Sequence, residues 1–176
     1  MKFEKVSKYM DKDLTLPIRK TVDSAGYDIA CAEDTLIPPI SEHMEVLKNN
    51  FLPEQVVDLA AMEIATKTLK AKPTLVPTGV KCQIDKGFYL ELSVRSSCPL
   101  KYWLVLANGV GIIDGDYYNN ESNEGEIYFQ MINLSPNPIL IRKGDIIGQG
   151  ILKPYLITQD DHTIGKRIGG FGSTSK

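Results

Sequence analysis

Short runs of apolar or alternating residues, separated by Gly, Pro and Asn, dominate the sequence between Leu75 and Leu156. Runs of this length, bounded by turn-forming residues, are typical of β-strands. The predicted strands are Lys81–Ile84, Phe88–Val94, Leu104–Leu106, Glu126–Leu134, Pro138–Ile141 and Ile146–Leu152. An earlier strand is predicted over Ala25–Ala32, and the weakly alternating residues 1–20 suit an edge strand. Many short strands at even spacing predict an all-β domain, either a sandwich or a jelly-roll-like fold.

Residues 41–72 interrupt this β pattern. The apolar positions that recur at helical spacing are Val56, Leu59 or Ala60, and Ile64. Pro53 suits the first turn of a helix, while several lysines followed by Pro73 favour its end. The sequence therefore predicts one amphipathic helix beginning at Pro53, with a shorter one near Ser41–Asn49. This inserted helical segment could serve as a stabilising flap, a lid or a surface for a protein partner.

The end of the chain is predicted to be an arm. Residues 165–176 contain four glycines and one aromatic residue, which is too little apolar surface to pack alone. We expect this arm to be mobile until a ligand orders it, and residues 1–164 to form a single domain.

Composition and charge narrow the range of partners. A formal net charge of −2 over 176 residues argues against a broad nucleic-acid-binding surface. No apolar run approaches the length of a membrane span, and the first residues lack the apolar core of a signal peptide. Three cysteines without CxxC spacing suggest reduced thiols and a cytoplasmic location. An anionic ligand would need local cations, for which Arg95, Lys166 and Arg167 are candidates.

One stretch, residues 109–117, combines features that an ordinary strand does not need. Gly109 and Gly111 weaken a strand but let a ligand or another backbone approach closely. Asp114-Gly115 is a hairpin-turn dipeptide, so the stretch is predicted to be a strand running into a tight turn. Taken alone, it is equally compatible with an ordinary hairpin that has a polar tip.

Four further stretches accompany it along the chain. In chain order the five are Ala25–Asp28, Arg95–Ser97, Gly109–Tyr117, Gly144–Gln149 and Gly169–Thr174. Together they resemble the five motifs of the trimeric dUTP pyrophosphatase (dUTPase) family. The resemblance implies hydrolysis of dUTP to dUMP and pyrophosphate, which keeps uracil out of DNA, on a distorted jelly-roll or β-clip barrel. It also implies a homotrimer whose sites are each assembled from three chains, and Mg²⁺ carried by the triphosphate.

The same resemblance assigns the catalytic and phosphate-binding residues. Asp114 matches the carboxylate that activates the attacking water, and Ile112 and Ile113 beside it are expected to desolvate it partly. Asp116 is the less favoured base. The residues expected to contact phosphate are Arg95, Ser96, Ser97, Gln149, Arg167, Ser173 and Thr174. Ser97 replaces the family's usual glycine, which predicts strain if the backbone there has positive φ.

The remaining assignments concern the base and the sugar. The residues expected around them are Asn108, Gly111, Ile112, Ile113, Tyr117, Tyr128 and Phe171. Rigid backbone groups near Gly111 are expected to distinguish uracil from cytosine, whose hydrogen-bond pattern is partly reversed. Tyr117 matches the aromatic residue under the deoxyribose, where a 2′-hydroxyl would clash. Asp28 is expected to support the site by accepting from an arginine or a magnesium-bound water.

Two departures from the family pattern leave other functions open. The family usually lacks residues 41–72, and it runs almost directly from Asp-Tyr to Gly-Glu, whereas here residues 118–124 intervene. One alternative is a dCTP deaminase-like relative that shares the fold. Another is a regulatory protein that uses the same scaffold to bind a partner, through the segment 41–72. Neither His43 nor His162 has metal-ligand neighbours, so no protein-bound metal site is expected.

Overall fold

The computed structural model describes residues 1–52, 54–69, 72–165, 167 and 170. The strands are β1 Lys2–Lys5, β2 Tyr27–Ala30, β3 Thr35–Ile37, β4 Thr74–Pro77, β5 Val80–Gln83, β6 Phe88–Val94, β7 Leu104–Leu106, β8 Gly111–Ile113, β9 Tyr128–Asn133, β10 Ile139–Ile141 and β11 Ile146–Pro154. The helices are α1 Ile40–Asn50, α2 Leu59–Leu69 and α3 Ser97–Tyr102. Short 3₁₀ turns lie at Ser7–Tyr9 and Gly115–Tyr117.

Antiparallel sheets form the body of the molecule. One sheet has the order β2-β11-β6-β8 and another the order β4-β9-β7, with the pairs β1-β5 and β3-β10 beside them. Leu90 and Leu92 of β6 and Phe129 and Met131 of β9 are fully buried and belong to one core cluster. Because side chains alternate along a strand, the intervening residues of β9 are left only half-buried. The predicted all-β, jelly-roll-like fold is confirmed.

The inserted segment folds into two helices of equal length, each of 11 residues. The predicted helix start at Pro53 is wrong, because residues 54–58 are not helical and α2 begins at Leu59. The physical reason is a better cap, since Asp58 Oδ1 accepts a hydrogen bond from the backbone N–H of Ala61 at 2.7 Å. The Asp58 carboxylate satisfies one of the free N–H groups in the first turn of α2, whereas the side chain of Pro53 has no acceptor for this purpose. Pro53 itself lies outside the described residues.

The apolar residues whose spacing predicted this helix are exposed in the single chain. Val56, Leu59 and Ile64 are 95%, 90% and 66% exposed, and Ala65 is the buried residue of α2. The periodicity was correct for a helix, but it did not specify which face would find a partner within the chain. A patch of exposed apolar side chains therefore remains on this segment.

Strand β8, within the stretch 109–117, ends in a helical turn instead of a hairpin. β8 stops at Ile113, and the Tyr117 N–H donates to the carbonyl of Asp114 at 3.1 Å, which closes the 3₁₀ turn. The chain reverses earlier, at Gly109, whose φ of +72° favours glycine. The predicted strand running into a tight turn is confirmed, with a 3₁₀ turn in place of a hairpin, and Asp114 lies where β8 meets that turn.

The three cysteines are separate, buried and free. Burial raises the pKa of the Cys82 thiol to about 12, so it stays protonated and unreactive at neutral pH. Within the described ranges, no helix is long and apolar enough to cross a bilayer.

Candidate active site

One cavity, of about 190 Å³, brings together eight of the predicted site residues. The predicted residues that line it are Asn108, Gly111, Ile112, Ile113, Asp114, Tyr117, Tyr128 and Arg167. β8 and the turn after it supply one wall, and β9 supplies another. The fold thus brings the predicted catalytic carboxylate together with the predicted base- and sugar-binding residues.

Gly111 lets β8 lie close to the core. It pairs with Leu92 of β6, and a Cβ added at Gly111 would lie 3.1 Å from the Leu92 side chain. A larger residue would push β8 outward and alter the cavity, since contacts of this length are already tight. The glycine at this position is therefore required by close packing of the strands.

Asp114 lies at the rim of the cavity and is paired with the arm. Its side chain is 48% exposed, so about half of it is shielded from solvent in the single chain. Arg167 donates from Nη2 to Asp114 Oδ2 and from Nε to Asp116 Oδ1, the latter at 2.8 Å. One guanidinium therefore bridges both carboxylates of the Asp-Gly-Asp sequence.

Tyr117 is almost fully buried, and its hydroxyl makes two hydrogen bonds. It donates to the carbonyl of Glu126 at 2.9 Å and accepts from Nδ2 of Asn123 at 2.8 Å. Burial raises the pKa of the Tyr117 phenol. The arm reaches the ring as well, because a Cβ at Gly170 would lie 2.7 Å from Cε2 and the Arg167 guanidinium lies 5.8 Å from the ring centre. Tyr117 is thus fixed on one side and covered on another.

Tyr128 lines the same cavity with its hydroxyl directed to a buried carboxylate. It donates to Glu126 Oε2 at 2.6 Å, and the other oxygen of Glu126 accepts from the Gly79 N–H at 3.0 Å. Burial raises the pKa of the Tyr128 phenol well above its usual value. The ring of Tyr128 therefore shapes the cavity while its hydroxyl ties β9 to the neighbouring loop.

The predicted phosphate-binding residue Arg95 lies elsewhere. Ile113 pairs with Leu90 of β6, and Arg95 follows five residues later, about 17 Å farther along the strand direction. Arg95 and Ser97 line a different cleft, of about 350 Å³, with Tyr102 and Asp145. A single chain does not bring these residues to Asp114.

Ser96 and Ser97 stand at the beginning of α3. Ser97 is its first residue, and Ser96 has a φ of −55°, so neither residue carries positive φ. The condition under which a serine in place of the family's glycine would carry strain is therefore not met. Both hydroxyl-bearing residues remain at least partly accessible beside the exposed Arg95.

Gln149 and Asp28 are neighbours across two strands, since Gln149 of β11 pairs with Asp28 of β2. Gln149 Nε2 donates to Ser93 Oγ at 3.2 Å. A Cβ at Gly26 would lie 2.1 Å from Gln149 Oε1, so the glycine makes room for this amide. Asp28 lines a third cleft, of about 540 Å³, which also contains Lys20 and Lys143.

Part of the predicted arm is not available for comparison. Phe171, Ser173, Thr174 and Lys166 lie outside the described residues, so their predicted roles stay predictions. Among the arm residues that the structure describes, Arg167 and Gly170 both contact the walls of the Asp114 cavity.

Comparison with known proteins decides the family. Residues 56–175, more than half of the chain, match the model of the dUTPase family. This chain belongs to the dUTPase family. It is similar to the deoxyuridine 5′-triphosphate nucleotidohydrolase of Lactococcus lactis, with 37% identity over 98% of this chain and 95% of that protein.

Solved structures agree with this assignment. The crystal structure of dUTPase from Streptococcus mutans is 37% identical, with a TM-score of 0.67, and the match covers 89% of this chain and 97% of that one. The dUTPase from phage phi11 of S. aureus, noted for a species-specific insert, is 18% identical with a TM-score of 0.61, covering 98% and 97%. The phage structure supports the fold alone. The resemblance drawn from the five motifs is confirmed.

The residues of this dUTPase suit a magnesium ion that arrives with the nucleotide. Within the described ranges, no three His, Cys, Asp or Glu side chains meet as a metal site. Mg²⁺ in nucleotide enzymes is commonly held by substrate phosphates with one or two carboxylates and waters. Asp28, half-buried in a cleft beside Gln149, is a carboxylate of the kind such an ion accepts.

Two polar contacts of the site were not predicted from the sequence. Gln130 lines the cavity two residues after Tyr128, and the alternation along β9 was a signal that places both on one face. Asn123 touches Tyr117 from the inserted loop. No periodicity in residues 118–124 points to that contact, which depends on how the loop folds back.

Proposed function

We propose that this dUTPase hydrolyses dUTP to dUMP and pyrophosphate by in-line attack of water on the α-phosphate. The observation that carries the proposal is the single cavity shared by Asp114, Asn108, Gly111 and Tyr117. A carboxylate at the rim can hold a water while the strand beside it receives the base. Cytosine would leave polar groups of such a site unpaired, a mismatch that can reject a ligand by about 10⁴ to 10⁵.

Asp114 is proposed as the general base. Its half-exposed carboxylate can accept a proton from water, and such assistance is typically worth about 10² to 10⁴ in rate. Asp116 also accepts a hydrogen bond from Arg167, but it does not line the 190 Å³ cavity that contains Tyr117. When nucleotide is bound, Arg167 can exchange the two carboxylates for phosphate oxygens, which suit its planar donors equally well.

Magnesium is proposed to accompany the triphosphate as the cofactor. When bound, the ion neutralises phosphate charge and helps to fix the geometry of in-line displacement. Asp28 would accept from its water ligands, and Gln149 would donate its amide to a phosphate oxygen.

A homotrimer is proposed as the active assembly. Arg95, Asp28 and Asp114 line three different clefts of one chain, and five residues of extended strand separate the level of Asp114 from Arg95. One nucleotide contacted by all of them would need residues from more than one copy. Closed symmetric assembly is the common way to supply those residues.

The segment 41–72 is proposed as a binding surface for another protein, as a second role. The exposed Val56, Leu59 and Ile64 support it, because contiguous exposed apolar residues often mark interaction sites. A cytoplasmic location is likewise proposed, supported by the three free thiols.

The test of the hydrolase proposal is pyrophosphate release from dUTP, dCTP, dTTP and UTP at equal concentration, with and without Mg²⁺. We expect release from dUTP alone to be fast and to require Mg²⁺. An ammonia assay with dCTP separates the deaminase alternative. Ammonia from dCTP, or equal cleavage of all four nucleotides, would overturn the proposal.

A further inference from the structure

The inserted loop, residues 118–124, packs directly behind Tyr117 and is held by its own hydrogen bonds. Its centre is the pair Asn120 and Asn123, in which Asn120 Nδ2 donates to Asn123 Oδ1 at 2.7 Å. Asn120 is buried, and its Oδ1 accepts from the N–H and the hydroxyl of Ser122 at 3.0 and 2.6 Å. The loop is therefore an ordered unit instead of a slack connection.

Both asparagines bond to Tyr117 from opposite ends of that residue. Asn120 Nδ2 donates to the Tyr117 carbonyl at 3.0 Å, and Asn123 Nδ2 donates to its hydroxyl at 2.8 Å. Gly125 closes the loop with a φ of +80°, and a Cβ there would lie 2.5 Å from the Tyr117 carbonyl oxygen. Backbone and phenol are thus fixed by one small cluster.

The loop is in turn anchored to the body of the domain. Lys81 of β5 donates to Asn119, and the Glu124 carboxylate accepts from Ser7. Asn119 and Glu124 have φ values of +58° and +59°, which non-glycine residues adopt only where the surroundings hold them. These contacts hold the two ends of the loop, while Asn120 and Asn123 at its centre donate hydrogen bonds to Tyr117.

The phenol of Tyr117 consequently has two restraints. Its hydroxyl donates to the Glu126 carbonyl and accepts from Asn123, so two hydrogen bonds hold its position. Without Asn123, one restraint remains, and the ring can swing about it. In a steric filter, a shift of about 1 Å decides whether an extra hydroxyl fits, and comparable misplacements cost roughly 10² in rate.

We infer that Asn123 is a positioning residue for sugar selection, which holds the Tyr117 ring against the space that a ribose 2′-hydroxyl would enter. The inference rests on the proposed hydrolysis of dUTP and on the sugar contact proposed for Tyr117. The inserted loop 118–124 would then serve substrate selection, because it supplies Asn123, the donor that fixes the phenol.

The test compares kcat/KM for dUTP and for UTP in Asn123→Leu, with Asn119→Gly as the matched control. Asn119→Gly keeps the positive φ and removes a side chain of the same loop that contacts Lys81 but not Tyr117. We expect the dUTP-to-UTP ratio to fall at least tenfold in Asn123→Leu and to change less than twofold in the control. If Asn123→Leu does not fold, Asn123→Ser, which removes the amide donor with less disturbance, takes its place.

A cycle with Tyr117→Phe separates positioning from general stability. That variant keeps the ring but loses the hydroxyl through which Asn123 acts, so the double variant should be no less selective than Tyr117→Phe alone. An unchanged ratio in Asn123→Leu, additive losses in the cycle, or an equal loss in the control would overturn the inference. Wild-type protein that fails to hydrolyse dUTP would instead overturn the proposed function, and that is measured first.

Discussion

Gly148 precedes the predicted phosphate-binding Gln149 and packs against the core, so replacing it with alanine gives a sharp test of the packing. A Cβ there would lie 2.1 and 2.5 Å from two atoms of the Phe129 ring and 2.6 Å from the Ser93 carbonyl oxygen. The ring is fully buried and the carbonyl belongs to the paired strand β6, so neither can move aside freely. This chain therefore cannot accept alanine at this position without rearrangement.

The expected cost of Gly148→Ala follows from these distances. Overpacking a core typically costs about 1–3 kcal/mol, and three clashes below 3.0 Å place this case near the upper end, at about 3 kcal/mol. For a chain of this size, each kcal/mol lowers Tm by roughly 2–4 °C, so we expect a fall of about 6–12 °C. The assay is thermal unfolding followed by circular dichroism at fixed protein concentration.

A second substitution makes the reasoning refutable. Phe129→Leu removes the two ring atoms that the new methyl group would meet, so the double variant should be at least 1 kcal/mol more stable than additive losses predict. Gly165→Ala, where nothing lies within 4 Å of the added Cβ, is the control and should leave Tm unchanged. Additive losses, or a single variant as stable as wild type, would refute the packing argument.

Three further predictions concern the helix cap, alkaline stability and the arm. Asp58→Ala should cost about 0.5–2 kcal/mol by removing the cap of α2, and hydrogen exchange should show faster amide exchange in that helix only; unchanged exchange would contradict the cap. Burial raises the pKa of Tyr9 from 10.0 to about 12, so stability present below pH 10 should fall as pH rises toward 12, by roughly 2–3 kcal/mol. Denaturant titrations should show a smaller fall in Tyr9→Phe, and equal falls would rule Tyr9 out. Deleting residues 165–176 should remove dUTP turnover and leave Tm nearly unchanged, whereas full turnover without the arm would exclude a lid.

The sequence predicted the strands well because their limits are set by local signals. β6 and β7 lie where predicted, between turn residues that no strand accommodates easily. The start of α2 was harder to predict, because Pro53 and Asp58 are both plausible residues for it and only the fold decides which is used. Periodicity indicates an apolar face of this helix but carries no information about what that face packs against.

In the candidate site too, the residues set by local sequence were predicted and those set by long-range contacts were not. Asn108, Tyr117 and the residues 111–114 between them line one cavity, because residues so close in sequence cannot separate far. Arg95 and Asp28 line other clefts of the chain. Their locations could not be predicted, because they depend on strand register, which is a long-range property. The support of Tyr117 by Asn123 depends on side-chain hydrogen bonds within a folded loop, for which the sequence has no periodic signal.

Single-turnover hydrolysis of dUTP by Asp114→Asn tests the central claim most directly, with nucleotide binding measured on the same preparation. Asparagine keeps the shape of the side chain but cannot take a proton from water. We predict that turnover falls at least a hundredfold while dUTP still binds. Turnover equal to that of the wild type would contradict the assignment of Asp114 as the base and, with it, the mechanism built on this cavity.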